Sequence, residues 1–343
     1  MKLVTITEIQ HKRMVKSLKL ILIFAILLAI VFVISMNTGT VRLSPQEVFD
    51  TLLGNSSDKH HIILYQLRLP RMIIAIMVGA SLAISGAILQ GISRNGLADP
   101  GIIGINSGAG LVVLLIVVMK PTSTGVNPYI LPLFALIGAA LTALLIYLLA
   151  FKKGEGMTPT RLLLVGIAVS AGLSAVSIIL TLRLNPNEYD FVLQWNLGNL
   201  YGGNWSFVLA LLPWTLLLLP YVYYKSHVLN LLNLNDALGT SLGLSLEREK
   251  LYLLAVAVGL AASAVAIGGG IGFIGLMGPH IARKLVGPKH QFMLPVTALI
   301  GSLLVLTGDT IARSIMKYSE LPAGIIITLI GAPYFLYLLI KSK

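Results

Sequence analysis

Long apolar runs, each bounded by charges, Pro or Gly, recur along this chain near 18–36, 70–92, 101–119, 129–151, 161–182, 206–224, 251–268, 271–286, 293–310 and 322–340. In hydrocarbon a backbone must satisfy its own N–H and C=O groups, so an apolar run that crosses a bilayer folds as a helix of roughly 20 residues. Ten such spans would take up about 200 residues of the 343 present. The rest of the composition agrees: 56% of residues are hydrophobic, 11% are charged and the mean hydropathy is +0.89. The sequence therefore predicts an all-α polytopic membrane protein in one domain, 1–343, and excludes a soluble enzyme. Cysteine is absent, so thiolate metal sites and disulfides are excluded with it.

The net charge of +12 would suggest nucleic acid in a soluble protein. Here its placement has a simpler cause. With ten spans both termini share one side, and 17 of the 25 Lys and Arg fall in the linkers and tails of that side, against 8 on the other. The positive-inside rule then puts both termini in the cytoplasm, and no nucleic-acid partner is expected. The first run, Leu20 to Ile34, follows five basic residues as a secretory signal would. Ser35-Met36-Asn37-Thr38-Gly39 offers no small-x-small cleavage site, so an uncleaved first span is expected.

Two linkers are long enough to fold. Outside, Ser44-Pro45-Gln46-Glu47 predicts a capped short helix over about 44–54. Inside, the segment 226–250 predicts a helix from Asn235 or Asp236 to Gly243 and a second start at Ser245. Its six leucines between Val228 and Leu244 need an apolar cover, which points to a docked soluble partner rather than a bare solvated loop.

Most other motifs have plain explanations. Gly270-Ile271-Gly272-Phe273-Ile274-Gly275 fits G-x-G-x-x-G but lacks the strand and the acidic ribose partner of a nucleotide fold. No Gly-Lys dipeptide occurs, so the chain has no P-loop and any ATP is hydrolysed by another subunit. Gly79, Ala83, Ala87 and Gly91, like Ala255, Gly259 and Ser263, recur every four residues, as helix packing in lipid requires. His280 has no carboxylate or second His three or four residues away and reads as structural, while Asp58, His60 and His61 read as a solvated cluster. No metal ligand set and no cofactor site is expected. Asp309 is the carboxylate set within an apolar run, and Arg313 stands four residues on, so an ion pair is expected near the outer end of the ninth span. Asp99-Pro100 and Glu320-Leu321-Pro322 read as caps opening spans three and ten. Arg68 and Arg71 stand at the outer mouth of span two, where lipid headgroups or an acidic partner would meet them.

Three stretches carry a family resemblance: RLPR (68–71) with GASLAISGAILQGISRNGLADPGIIGINSGA (79–109), GGGIGFIGLMGPHIARKLVGPKHQFMLPVTALIGS (268–302), and GDTIARSIMKYSELPAGIIITLIGAPYFLYLL (308–339). The chain resembles the membrane subunits of iron-siderophore and cobalamin ABC importers, the type II ABC permeases. That resemblance implies ten helices, import of a ferric siderophore across a bacterial cytoplasmic membrane, and no chemistry on the substrate. Cobalamin or haem is the alternative cargo, and an ion-coupled transporter is the rival from another class. The implied partners are a second permease subunit, two cytoplasmic ABC ATPase subunits, and an extracytoplasmic binding lipoprotein or periplasmic protein. Arg68, Arg71 and Arg313 match arginines that meet glutamates of the binding protein. NLNDALGTSLGLSLER (233–248) looks like the ATPase-coupling loop, giving that role to Asn235, Asp236, Leu238, Gly239, Ser241, Leu242, Gly243, Leu244, Glu247 and Arg248. Gln90, Asp99, Pro100, Pro279, His280, Asp309, Glu320 and Pro322 are structural or gating candidates. Four departures touch these roles: Gly96 replaces the Pro usual in the family's Arg-Asn-Pro-Leu-Ala motif, which bears on the turn at 95–99, Asn235-Asp236 replaces a common Gly-Asp pair, Ser319 precedes Glu320 where a second Pro is frequent, and Thr307-Gly308-Asp309 varies from a more usual Leu-Ala-Asp.

Overall fold

A computed structural model describes residues 6–39, 41, 43–55, 57–101, 104–119, 131–152, 156–200, 202–233, 245–315 and 321–341. Helix α1 (Ile6–Asn37) leads to the short helices α2 (Pro45–Leu52) and α3 (Asp58–His61), then to a π-helical turn, Ile62–Arg68, continuous with α4 (Leu69–Ser93). After α5 (Ile105–Met119) and α6 (Leu131–Ala150) comes an antiparallel pair of two-residue strands, β1 (Phe151–Lys152) and β2 (Gly156–Met157), in which Phe151 faces Met157. The remainder is helical: α7 (Pro159–Thr181), α8 (Pro186–Asn196), α9 (Trp205–Tyr224), α10 (Ser226–Leu232), α11 (Leu246–Gly268), α12 (Ile274–Val286), α13 (His290–Ile315) and α14 (Ala323–Lys341).

Among the described residues, seven helical segments are long and apolar enough to cross a membrane, in α1, α3–α4, α6, α7, α9, α11 and α13. Helices α5 and α14 are apolar but shorter, and α12 has 13 residues, about 20 Å of rise. The protein is thus a multi-pass helical membrane protein.

Helix α4 is the hub. Of its apolar window 89% is buried, against 6% for that of α1. A helix apolar on every face belongs inside a bundle, and α4 is enclosed by α9, α11, α12 and α13. Its small residues make that possible. A Cβ on Gly79 would lie 2.3 Å from the Gly301 carbonyl oxygen of α13, and one on Gly86 would lie 1.9 Å from that of Gly275 in α12. Backbones touch there, and the four-residue stripe is the packing device it resembles. Gly259 likewise takes Trp214 and Leu218 of α9 against α11, at 3.4 and 3.1 Å from where its Cβ would be.

The glycine run after α11 also packs. The Gly270 N–H donates to the Trp195 carbonyl at 3.2 Å, and Gly269 turns with φ +69° beside that same carbonyl. Residues 268–270 thus seat the end of α11 on the end of α8.

Candidate functional site

The chain's ionic centre is built from three helices. Asp309 of α13 is fully buried. Arg71 Nε and Nη2 lie 2.9 and 2.8 Å from its Oδ1, and Arg313 Nε lies 3.0 Å from its Oδ2. Each carboxylate oxygen therefore faces one guanidinium, one reached through the i,i+4 spacing within α13 and the other from α4.

The third arginine serves α1. Arg68 Nη1 donates to the Met36 carbonyl and Nη2 to that of Val41. Arg313 reaches the same place, donating from Nη2 to Ser35 Oγ at 2.5 Å and from Nη1 to the Thr38 carbonyl at 3.3 Å. The last carbonyls of a helix have no partner within it and carry partial negative charge. At the end of α1, Asn37 Nδ2 covers Val33 O at 2.8 Å, Thr38 Oγ1 covers Ile34 O at 2.6 Å, and Arg68 covers Met36 O. So Arg68, Arg71 and Arg313 converge, which their sequence positions alone do not reveal. They converge as a buried knot rather than an open basic patch: each is 5–6% exposed.

The loop after α1 folds around its cap. Ser44 Oγ accepts the Glu47 N–H at 3.2 Å, and Glu47 Oε2 accepts the Ser44 N–H at 2.7 Å, a complete capping box. Those bonds, the backbone one foremost, hold the Glu47 carboxyl below its ordinary range. His60 sits 3.8 Å from Glu47, and His61 stacks on Tyr65. No group of three His, Asp or Glu suited to a metal ion occurs among the described residues.

At the opposite end of α4, two sequence expectations need correction. Asp99 does not cap span three, because α5 begins at Ile105; its Oδ1 instead accepts the Gly101 N–H at 2.8 Å, closing a turn two residues long. This is the stretch beside Gly96. Asp99 and Pro100 are pressed onto Gly275, where a Cβ would lie 2.7 Å from Asp99 Oδ2 and 2.6 Å from Pro100 Cδ. Second, the leucine-rich segment is covered in part by the chain itself. Residues 226–232 form α10, which the sequence reading left as loop, and it buries Leu229 and Leu232 completely against the bundle.

Gln90 of α4 joins this region to α12, donating from Nε2 to the Gly275 carbonyl and accepting from Arg283 Nη2, both at 3.2 Å. Pro279 lies inside α12, and His280 meets Tyr334 edge-on at 5.9 Å, its Nε2 buried without a hydrogen-bond partner among the described residues. Pro322 immediately precedes α14, and its carbonyl accepts the Ile325 N–H. Glu320 and residues 235–244 lie outside the described residues. After them Ser245 precedes α11, where Glu247 and Arg248 are exposed in the first turn.

Sequence reasoning missed a polar group at the roots of this loop. Asn230 Oδ1 accepts the His290 backbone N–H at 2.8 Å and pairs with His290 Nδ1 at 2.9 Å, while Asn230 Nδ2 donates to Gln291 Oε1 at 2.7 Å. Arg94 Nε donates to the Leu232 carbonyl at 2.8 Å. Lys225 Nζ grips both oxygens of Glu249 at 2.8 and 3.0 Å, which raises the Lys225 pKa above its ordinary value. These partners stand 24 to 138 residues apart, so no local pattern announces them.

Residues 27–341 match the model of the FecCD transport family. The chain is 44% identical to the iron(3+)-hydroxamate import system permease protein FhuG of Bacillus subtilis (strain 168), over 93% of this chain and 95% of that protein. It is 39% identical to the hemin transport system permease protein HmuU of Yersinia pestis, over 93% and 94%. Among solved structures, an inward-facing metal-chelate type ABC transporter superposes with a TM-score of 0.81 at 32% identity, covering 95% of this chain and 99% of that one. A family model spanning nearly the whole chain, relatives of matching length and a shared architecture agree: this chain is an ABC transporter permease subunit, not an enzyme, and belongs to the FecCD transport family.

Proposed function

We propose that the chain carries intact ferric siderophores across a bacterial cytoplasmic membrane as one permease subunit of an ABC importer. The observation that carries this reading is the family match over residues 27–341 together with an iron(3+)-hydroxamate permease relative matched end to end. In this reading α5, α12 and α14 cross with the seven longer segments, giving ten spans with both termini in the cytoplasm, as the bias of 17 basic residues to 8 favours. A second permease subunit completes the path. Two cytoplasmic ATPases dock on residues 235–248, and an extracytoplasmic binding lipoprotein or periplasmic protein docks at the outer end of α4 and α13. Each partner acts by binding outward-open and inward-open states unequally.

For the binding protein, Arg68, Arg71 and Arg313 bring three guanidiniums to one end of the bundle, the charge that acidic groups on a partner would meet. Reversing Arg71 would set a second carboxylate against Asp309 and damage the fold, so docking is better tested at Arg68. Arg68→Gln in the purified importer is expected to weaken binding-protein affinity about tenfold while the ATPase still co-purifies. Unchanged affinity removes Arg68 from the docking surface.

The function itself is tested by uptake of radiolabelled iron on hydroxamate and catecholate siderophores in a deletion strain with and without this gene, with vanadate and an uncoupler as controls. Gene-dependent, vanadate-sensitive uptake of one siderophore class is expected. Haem is the second reading, favoured by the hemin permease relative; loss of haem-supported growth with siderophore uptake intact would establish it. Uptake abolished by the uncoupler and untouched by vanadate would replace both with an ion-coupled carrier.

A further inference from the structure

The polar group at the roots of the cytoplasmic loop has a geometry that packing alone does not require. Helix α10 is seven residues long, too short to hold itself together in water, yet it is fixed on three sides. Buried Leu229 and Leu232 seat it in the bundle. Arg94, just past the end of α4, takes the Leu232 carbonyl at 2.8 Å. Asn230 takes the first residue of α13.

The hydrogen bonds around Asn230 fix their own orientation. The His290 backbone N–H can only donate, so the Asn230 atom 2.8 Å from it is the amide oxygen. The amide NH2 then points to Gln291 Oε1 at 2.7 Å. Because that same oxygen lies 2.9 Å from His290 Nδ1, the imidazole carries its proton on Nδ1. Nε2 is left as a buried lone pair without a hydrogen-bond partner among the described residues, 3.5 Å from where a Cβ of Gly91 in α4 would stand. Asn230 thereby caps α13 from 60 residues away in sequence, a service usually done by the preceding residue. On the far side of the loop, Glu249 in the first turn of α11 is held by Lys225 at the end of α9. Both roots of the segment 234–244 are therefore tied down, one to α4 and α13 and the other to α9.

We infer that Asn230 is a positioning residue for energy coupling: its bonds to His290 and Gln291 latch α10 to the start of α13, so that displacement of the cytoplasmic loop by an ATPase moves α13, and through it α4, as one body. This rests on the proposed reading of the loop as the ATPase docking surface. Helix α13 runs from this latch to Asp309 and Arg313 at the outer knot, so a push at Asn230 reaches both ends of the bundle's central pair. The latch is neutral and small, which suits a joint that must transmit strain without the cost of separating buried charges.

The test uses the complete importer, permease with its ATPase and binding protein, in proteoliposomes loaded with a transported ferric siderophore. For Asn230→Ala, the ATPase is expected to co-purify and hydrolyse ATP at the basal rate of the unaltered complex, while substrate moved per ATP falls roughly fivefold. Asn230→Asp keeps an oxygen for both His290 N–H groups, loses the donor to Gln291, and, with the Gln291 amide turned so that its NH2 donates to the second carboxylate oxygen, is expected to restore most of the lost coupling. An unchanged ratio in Asn230→Ala overturns the inference, and so does an equal loss in Asn230→Asp, which would mark a purely structural site. Replacing 234–244 with a Gly-Ser linker separates the two readings. If ATPase binding survives that replacement, the loop reading fails together with the inference; if binding is lost while Asn230→Ala leaves the ratio intact, the loop reading stands and the latch alone falls.

Discussion

The two ends of the α4–α13 pair are fastened by opposite chemistry. At one end a buried carboxylate is held between Arg71 and Arg313, with Arg68 beside them tying in α1, and in the proposed orientation this end is the outer one. At the other, inner end the fastening is an amide, an imidazole and a second amide, with Arg94, Arg283 and the Lys225–Glu249 pair among the charged groups around it. A buried ion cluster is costly to assemble and much costlier to break by halves, so it makes an all-or-none joint. A neutral network gives way one bond at a time, each worth about 1 kcal/mol. The outer fastening suits a fixed point, and the inner one suits a joint that is loaded and released in each transport cycle.

The largest effect is expected where that contrast is broken outright. Asp309→Asn would remove the buried carboxylate that Arg71 and Arg313 share, at a cost of about 3–5 kcal/mol. Membrane yield should collapse, or the unfolding midpoint in detergent should fall far below that of Asn230→Ala measured alongside. Equal midpoints for the two variants would erase the distinction between the ends.

Next comes the link from the knot to α1. Arg68→Met keeps much of the side chain's bulk but abandons the Met36 and Val41 carbonyls at and just past the end of a helix of whose apolar window only 6% is buried. Losing charged hydrogen bonds of this kind costs about 1.5–3 kcal/mol. Amide exchange should accelerate at 34–41 and stay unchanged around 226–232. Acceleration at both ends would show the fastenings to be one network.

Between the ends lies the contact both depend on. Gly86→Ala would drive a methyl into the Gly275 carbonyl at 1.9 Å, and since backbone lies on both sides the helices must part, at about 1–3 kcal/mol or more. Thermal unfolding should fall and ATP-coupled transport should fall with it. A stable, fully active Gly86→Ala protein would mean α4 and α12 separate more freely than their contact suggests.

How much of this was legible beforehand follows the range of each interaction. The apolar runs, the Ser44 cap and the Asp309–Arg313 spacing are local, and the sequence announces them because helix periodicity and capping act over four residues or fewer. The opening of span three was misjudged: Asp99-Pro100 has the composition of a cap, but Asp99 is drawn into a turn packed on Gly275, a partner 176 positions away that no window contains. Helix α10 was missed because seven residues carry little periodicity and its stability comes from Arg94 and His290 across the bundle. The three arginines were singled out, but their burial was not foreseen, since an arginine at a helix mouth reads as solvent-facing until its partners are known. Among those partners, Ser35 and the α1 carbonyls bear no charge that a sequence scan would notice.

The smallest expected effect lies outside both fastenings and serves as their control. Ser44→Ala removes the side-chain half of the capping box on α2 and should cost about 1 kcal/mol of local helix stability, read as faster exchange at 45–50. The box also makes that helix sensitive to acid. The Ser44 backbone N–H and hydroxyl hold the folded Glu47 carboxyl below its ordinary value of 4.5, so its contribution is complete above that value and is lost as pH falls through the lower, folded one. In Ser44→Ala the hydroxyl's share of that depression disappears, so protection of α2 should begin to fall at a higher pH than in the unaltered protein. Because the two hydrogen bonds of the capping box involve neither the Asp309 knot nor the Asn230 latch, transport per ATP should not change in this variant. A loss of transport would extend the outer fixed point from the buried arginines to the surface helix above them.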